Sequence, residues 1–93
     1  MVESLSKENT RRIGADIRKV QMEWPLGMPY VRPIGGGLFE LRSNLQDGIA
    51  RVFFSVKEGK MILFHGIIKK TQKTPYQELE LANKRKRDYE KNS

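Results

Sequence analysis

The sequence predicts an α+β domain in which a small antiparallel sheet of three or more strands packs against an N-terminal helix and a C-terminal helix. Three observations predict it: an apolar stripe at helical spacing in residues 6–24, three alternating apolar and polar segments in residues 38–69, and an amphipathic segment that begins at Thr74. A chain of 93 residues has room for one domain, which we place at residues 1–93.

The first helix is predicted over residues 6–24. One apolar face is formed by residues at i, i+4, i+7 and i+11, namely Ile13, Ile17, Val20 and Trp24. Pro25 ends the helix because the residue before a proline disfavours helical backbone angles. Residues 25–37 are interpreted as a loop, and the glycines at its end are interpreted as a flexible entry to a strand. A phosphate-binding glycine loop would need a helix after it.

Three strands are predicted next, at Leu38–Ser43, Ile49–Lys57 and Lys60–Lys69. The last two are joined by the two-residue turn Glu58-Gly59, which favours a hairpin and an antiparallel meander. The closing helix begins with Thr-Pro-Tyr-Gln. We interpret this run as a capping box, with Thr74 at the N-cap.

Alternation along the strands sorts their side chains into two faces. In the second strand, the apolar residues at even positions, Ala50 to Val56, are predicted to face the core. In the third strand we expect Ile62, Phe64 and Ile68 on the core side. The other face, away from the helices, should then be exposed and cationic, with an aromatic among the cations; it comprises Arg42, Arg51, Phe53, His65 and Lys69, with Lys70 and Lys73 at its rim.

A cationic surface with an exposed aromatic ring suits the phosphates and a stacked base of single-stranded RNA. The alternative is a charged sheet face that prevents edge-to-edge aggregation. The net charge, 18 − 11 = +7, favours a polyanionic partner. The basic end of the closing helix, with Arg85, adds to the RNA-binding candidates Arg42, Phe53 and Lys73.

The residues that are missing narrow the chemistry. The chain has no cysteine and one histidine, which excludes thiolate catalysis, zinc fingers and multi-histidine metal sites. Its scattered carboxylates do not suggest a two-metal nuclease, so we expect neither a metal nor a cofactor. RNA cleavage would use the substrate's 2′-hydroxyl, with Arg51 and Arg42 holding phosphate and Lys69, Lys70 or His65 transferring protons. This interpretation requires Arg51 to be exposed.

No apolar run approaches the length of a membrane span, and the N-terminal octapeptide lacks the apolar stretch of a secretory signal. We therefore expect a cytoplasmic protein without a membrane partner.

Three stretches resemble the RelE/ParE toxin superfamily, and in particular its HigB-like, phage-derived branch. They are Gly37 to Arg42, Ala50 to Phe54, and the string from His65 to Pro75, which is followed by a helix with Glu78, Ala82, Arg85, Asp88 and Tyr89. The resemblance covers residues 13–90. It implies the toxin of a type II toxin–antitoxin pair, neutralised by a helix-turn-helix antitoxin, that cleaves mRNA on the ribosome without metal.

Carried onto this sequence, the resemblance makes Arg51 the strand arginine, Lys69 and Lys70 the basic pair at a strand end, and Arg42 a phosphate contact. It also implies a strand before the first helix, whereas here Met1 leads almost directly into a helix. We therefore expect either a start upstream of Met1 or a sheet edge left open, which would favour self-association or an antitoxin segment. Two other functions stay open: a ParE-like inhibitor of DNA gyrase, and a phage-derived module that binds RNA or protein without catalysis.

Overall fold

The computed structural model describes residues 7–24, 31–46, 48–70 and 74–92. These residues form two helices and four strands: α1 (Lys7–Glu23), β1 (Val31–Gly35), β2 (Leu38–Leu45), β3 (Gly48–Lys57), β4 (Lys60–Lys69) and α2 (Tyr76–Lys91). The strands make one antiparallel sheet in the order β1-β2-β3-β4, which confirms the predicted α+β fold. Neither of the two described helices has the length and apolar character needed to cross a membrane.

Two-residue turns close two of the hairpins. Glu58 and Gly59 have φ angles of 53° and 78°, and Gly36 and Gly37 have φ angles of 62° and 86°. Positive φ at both central residues gives a turn whose twist matches that of the paired strands. The predicted hairpin at Glu58-Gly59 is therefore confirmed, and the glycine run forms a second hairpin turn.

Strand β1 lies inside the segment that was interpreted as a loop. Pro33 and the glycine after Ile34 argue against a strand in the sequence, since both residue types are depleted in strands. Pro33 is tolerated because β1 pairs on one side only, with β2.

The sheet lies between the two helices. On one face, Val20 of α1 packs with Leu41, Val52 and Phe54, and the predicted stripe of α1 joins this cluster through Ile13, Ile17 and Trp24. On the other face, Ala82 and Leu79 of α2 pack with Leu38, Phe53, Phe64 and Ile67. Adjacent residues Phe53 and Phe54 belong to different clusters, as alternation in a strand requires. We call these surfaces the α1 face and the α2 face.

The prediction that one sheet face points away from both helices is wrong. The even positions of β3 do face α1, but the odd positions are covered by α2 rather than by water. The faces assigned to β4 are also partly wrong. Phe53 pairs with His65 but Phe54 pairs with Leu63, so β4 holds one extra residue. This bulge shifts the alternation and puts Ile62 on the same face as His65 and Ile67.

The capping box at Thr74 is wrong as well. The N-cap of α2 is Pro75, and no side chain caps the helix. The Thr74 hydroxyl instead donates a hydrogen bond to Oε2 of Glu40 on β2. This hydrogen bond to a buried carboxylate is charge-assisted, and it ties the start of α2 to the sheet.

Candidate functional site

A buried ionic cluster occupies the α2 face of β1, β2 and β3. The Glu40 carboxylate is fully buried, and its Oε1 accepts hydrogen bonds from Nε of Arg32 at 3.1 Å and of Arg42 at 3.2 Å. Its Oε2 lies 3.4 Å from Nε of Arg51 and accepts the Thr74 hydroxyl. Three guanidinium groups and one carboxylate leave the cluster with a charge of 3 − 1 = +2.

Strand register explains why the cluster needs its carboxylate. Arg42 and Arg51 are directly opposed across β2 and β3, a pairing of like charges that is unfavourable by itself. Glu40, one pair along on the same face, contacts both. Burial lowers the pKa of the Arg51 guanidinium from its ordinary value, and Arg42 and Arg32 lower it further, whereas Glu40 raises it.

The prediction that Arg51 is exposed is wrong. Its side chain has no accessible surface. Arg51 does lie near one of the predicted lysines. It shares a face of adjacent strands with Lys69, and their Cα atoms lie about 8 Å apart by strand geometry. The face is covered beside Arg51, because α2 packs on Phe53 and Ile67, and Thr74 bonds to Glu40. Arg51 in this structure therefore cannot contact RNA, and the cleavage mechanism that relied on it is lost.

The structure also does not place two other predicted RNA contacts, Phe53 and Lys73, on an exposed surface. Phe53 is fully buried and stacks against His65, with ring centroids 6.1 Å apart, so it offers no surface to a base. Lys73 lies outside the described residues. Of the cations predicted for the site, those that the structure describes as reaching solvent are the exposed Lys69, Lys70 and Arg85 and the half-buried Arg42.

His65 joins β4 to α2 through both of its ring nitrogens. Nε2 lies 2.6 Å from Oε1 of Glu78, and Nδ1 lies 3.2 Å from Nη1 of Arg85, which also donates to the carbonyl oxygen of Phe64 at 3.0 Å. A guanidinium can only donate, so Nδ1 must be the acceptor. The ring proton is then on Nε2, where it donates to Glu78. We call His65, Glu78 and Arg85 the histidine triad.

The triad combines a proton-transfer group, a carboxylate that orients it and a cation that can bind phosphate. In this geometry both nitrogens are occupied, so His65 can act on a substrate only after Arg85 leaves Nδ1. Arg85 is exposed and has room to do so. Within the described residues, no three His, Asp or Glu side chains cluster closely enough to hold a metal ion.

Glu40 and Glu78 were not assigned to the site by sequence reasoning. Alternation puts Glu40 on the same face as Arg42 and Arg51, and a carboxylate between two arginines is a signal that could have been used. Glu78 entered only as one residue of the closing helix in the resemblance, and its contact with His65 depends on how α2 crosses the sheet.

Comparison with known proteins identifies a family to which the chain is similar. Residues 1–87 match the family model described as Phage derived protein Gp49-like (DUF891). No curated protein and no solved structure gives a significant match. The matched range contains α1, the whole sheet and the histidine triad. The chain therefore belongs to the Gp49-like family of phage-derived proteins, which is a RelE-like, toxin-like family.

Proposed function

We propose that the protein is the toxin of a HigB-like toxin–antitoxin pair and that it cleaves mRNA on the ribosome without metal. The observation that carries the proposal is the histidine triad, in which Nε2 of His65 contacts Glu78 and Nδ1 contacts Arg85. Membership of a toxin-like family supports the same biological context. The partners would be mRNA, the ribosome and a cognate antitoxin.

RNA binding would use the exposed cations around the triad. Lys69 lies on the same face of β4 as His65, four residues along, which is about 13 Å at strand geometry. At that distance Lys69 binds a neighbouring phosphate and not the one under attack. Arg85 is the cation at the reacting phosphate, because it already contacts the imidazole.

Cleavage begins when the phosphate draws Arg85 away from Nδ1. The freed Nδ1 accepts the proton of the 2′-hydroxyl, the 2′-oxygen attacks the adjacent phosphorus, and the bond from phosphorus to the 5′-oxygen breaks. Glu78 holds the imidazole and stabilises its cationic form after the transfer. Arg85 stabilises the charge that develops on the phosphate oxygens. The leaving 5′-oxygen takes a proton from water or from a nearby ammonium group.

The test is cleavage of mRNA on translating ribosomes, mapped by primer extension. His65→Gln keeps a polar side chain but cannot transfer a proton, so we expect cleavage to fall by about 10² to 10⁴. Arg85→Ala should also abolish cleavage. Lys60→Ala is the charge-matched control, since Lys60 is exposed at the far end of β4, and it should cleave as the unchanged protein does. Full activity of a folded His65→Gln variant would refute this mechanism.

The occupied imidazole favours one second candidate, a module that binds RNA without cutting it. In that case the protein binds ribosomes or mRNA with strong salt dependence, and the mRNA 5′ ends remain unchanged. The remaining alternative is a gyrase inhibitor, and expression of the protein in a bacterial host distinguishes it from an mRNA-cleaving toxin. A gyrase inhibitor triggers DNA-damage signalling, whereas an mRNA-cleaving toxin stops translation first.

A further inference from the structure

The two edges of the sheet differ in how they are protected. At the β1 edge, the strand is five residues long, contains Pro33 and has an irregularity before Gly35. Short length, proline and bulges are the features that prevent an edge from pairing with another chain. At the β4 edge, the strand is ten residues long and lacks proline, and its bulge leaves the run His65–Lys69 regular. Among the described residues, no strand pairs with its outer side.

An apolar strip accompanies the β4 edge on the α1 face. Leu63 is 50% exposed and Ile68 is 41% exposed, although both are large aliphatic side chains. They remain uncovered because α1 packs against β2, further into the sheet. Between them lies Gly66, above which a Cβ would meet only the carbonyl oxygen of Arg51, at 3.7 Å. The strip is therefore two aliphatic side chains on either side of an open notch.

Cations stand at both ends of the β4 edge, and by strand register Lys60 and Lys69 point to the α2 face, opposite the strip. Lys60 begins β4, and Lys69 and Lys70 end it; all three are exposed. A second copy of the chain would therefore fit poorly. Antiparallel pairing over the whole strand would set Lys60 of each copy against Lys69 of the other, and parallel pairing in register would set each lysine against itself. The net charge of +7 on each copy adds to this repulsion.

We propose that the outer edge of β4 is a docking site for an extended segment of a partner protein, with apolar side chains in its centre and carboxylates at both ends. The segment adds a fifth strand by backbone hydrogen bonds. Its apolar side chains cover Leu63 and Ile68, and one of them enters the notch at Gly66. The regular pairing lies along His65–Lys69, beyond the bulge in β4. This site does not depend on RNA cleavage.

The experiment titrates ¹⁵N-labelled full-length protein with a synthetic nine-residue peptide of alternating valine and threonine, with two glutamates at each end. A second peptide has lysines in place of the glutamates. We expect the acidic peptide to protect alternate β4 amides from hydrogen exchange, because every second amide of an edge strand points outward. The lysine-ended peptide should bind at least about tenfold more weakly, and salt should reduce the difference.

Two variants locate the binding. Leu63→Ser combined with Ile68→Ser should weaken binding of the acidic peptide at least about tenfold. Met22→Ser is the matched control, since Met22 is 80% exposed on α1, and it should change nothing. Equal binding of the two peptides, protection outside β4, or no binding would overturn the proposal. So would sedimentation of the protein as a dimer that the Leu63 and Ile68 changes dissociate, because the strip would then serve a second copy.

Discussion

The α1 face and the α2 face of the sheet use the same strands but bury different chemistry. On the α1 face the core is apolar apart from Ser43, whose hydroxyl donates to Asp16 of α1. On the α2 face the core includes a carboxylate and a guanidinium, Glu40 and Arg51, both without accessible surface. The α1 face is thus stabilised mainly by burial of apolar area, whereas the α2 face also depends on buried charges that must stay paired.

The difference lies in what the second helix covers. Polar residues at alternate strand positions are ordinarily the exposed side of a sheet. Here α2 packs on that side through Leu79 and Ala82, and the charges are buried with it. Their burial is sustained because Arg32 and Arg42 reach solvent while still bonding to the buried carboxylate.

The largest expected effect is the loss of the Glu40 charge. Glu40→Gln leaves a buried guanidinium opposite Arg42 without its carboxylate, and we expect the free energy of unfolding to fall by about 3–5 kcal/mol. Urea denaturation followed by circular dichroism measures it. Replacing both partners, by Glu40→Leu with Arg51→Met, should cost less than Glu40→Gln alone, because no uncompensated charge is then buried.

The adjacent residue on the other face provides the comparison. Leu41→Ala on the α1 face should cost about 2–5 kcal/mol by leaving a cavity. Its effect should be additive with those of more distant core changes, whereas the Glu40 and Arg51 changes should not be additive with each other. Additive Glu40 and Arg51 effects would contradict the idea that the two faces are stabilised differently.

A smaller effect is expected at Thr74, which joins the start of α2 to the ionic cluster. Thr74→Val keeps the shape of the side chain but removes the hydroxyl that donates to Glu40, so the free energy of unfolding should fall by about 1–3 kcal/mol. Thr74→Ser keeps the hydroxyl and serves as the control. If valine and serine at this position are equally stable, the hydrogen bond does not hold α2 on the sheet.

RNA binding distinguishes buried from exposed cations on the α2 side. Lys69→Ala with Lys70→Ala should lower the slope of log affinity against log salt for single-stranded RNA by about 2 × 0.7 = 1.4. Arg51→Met should reduce stability but leave that slope unchanged, because Arg51 has no accessible surface. Filter binding across a salt series measures both. A smaller slope for folded Arg51→Met would show that Arg51 reaches RNA after all.

Local sequence patterns predicted most of the fold but only part of the site. The stripe of α1 and the shared face of Arg42, Arg51 and Lys69 follow from periodicity, and the turn follows from its two residues, Glu58-Gly59. A short stretch of sequence contains all of this information. The burial of Arg51 does not, because it depends on α2, which is distant in sequence. The bulge in β4 likewise depends on pairing with β3, so the faces of Ile62 and Phe64 could not be assigned from alternation alone.

The smallest effect is expected for an ion pair on the outer side of α2. Lys84 and Asp88 are one helical turn apart and their charged atoms lie 3.2 Å apart, yet more than half of each side chain is exposed. Water screens such a pair and its geometry costs side-chain entropy, so Asp88→Asn should lower the free energy of unfolding by about 0.5 kcal/mol or less. The same denaturation assay that is used for Glu40→Gln measures it. A loss comparable to that of Glu40→Gln would mean that the position of a charge relative to solvent does not decide its contribution, and the contrast between the buried charges of the sheet and the exposed charges of α2 would fail.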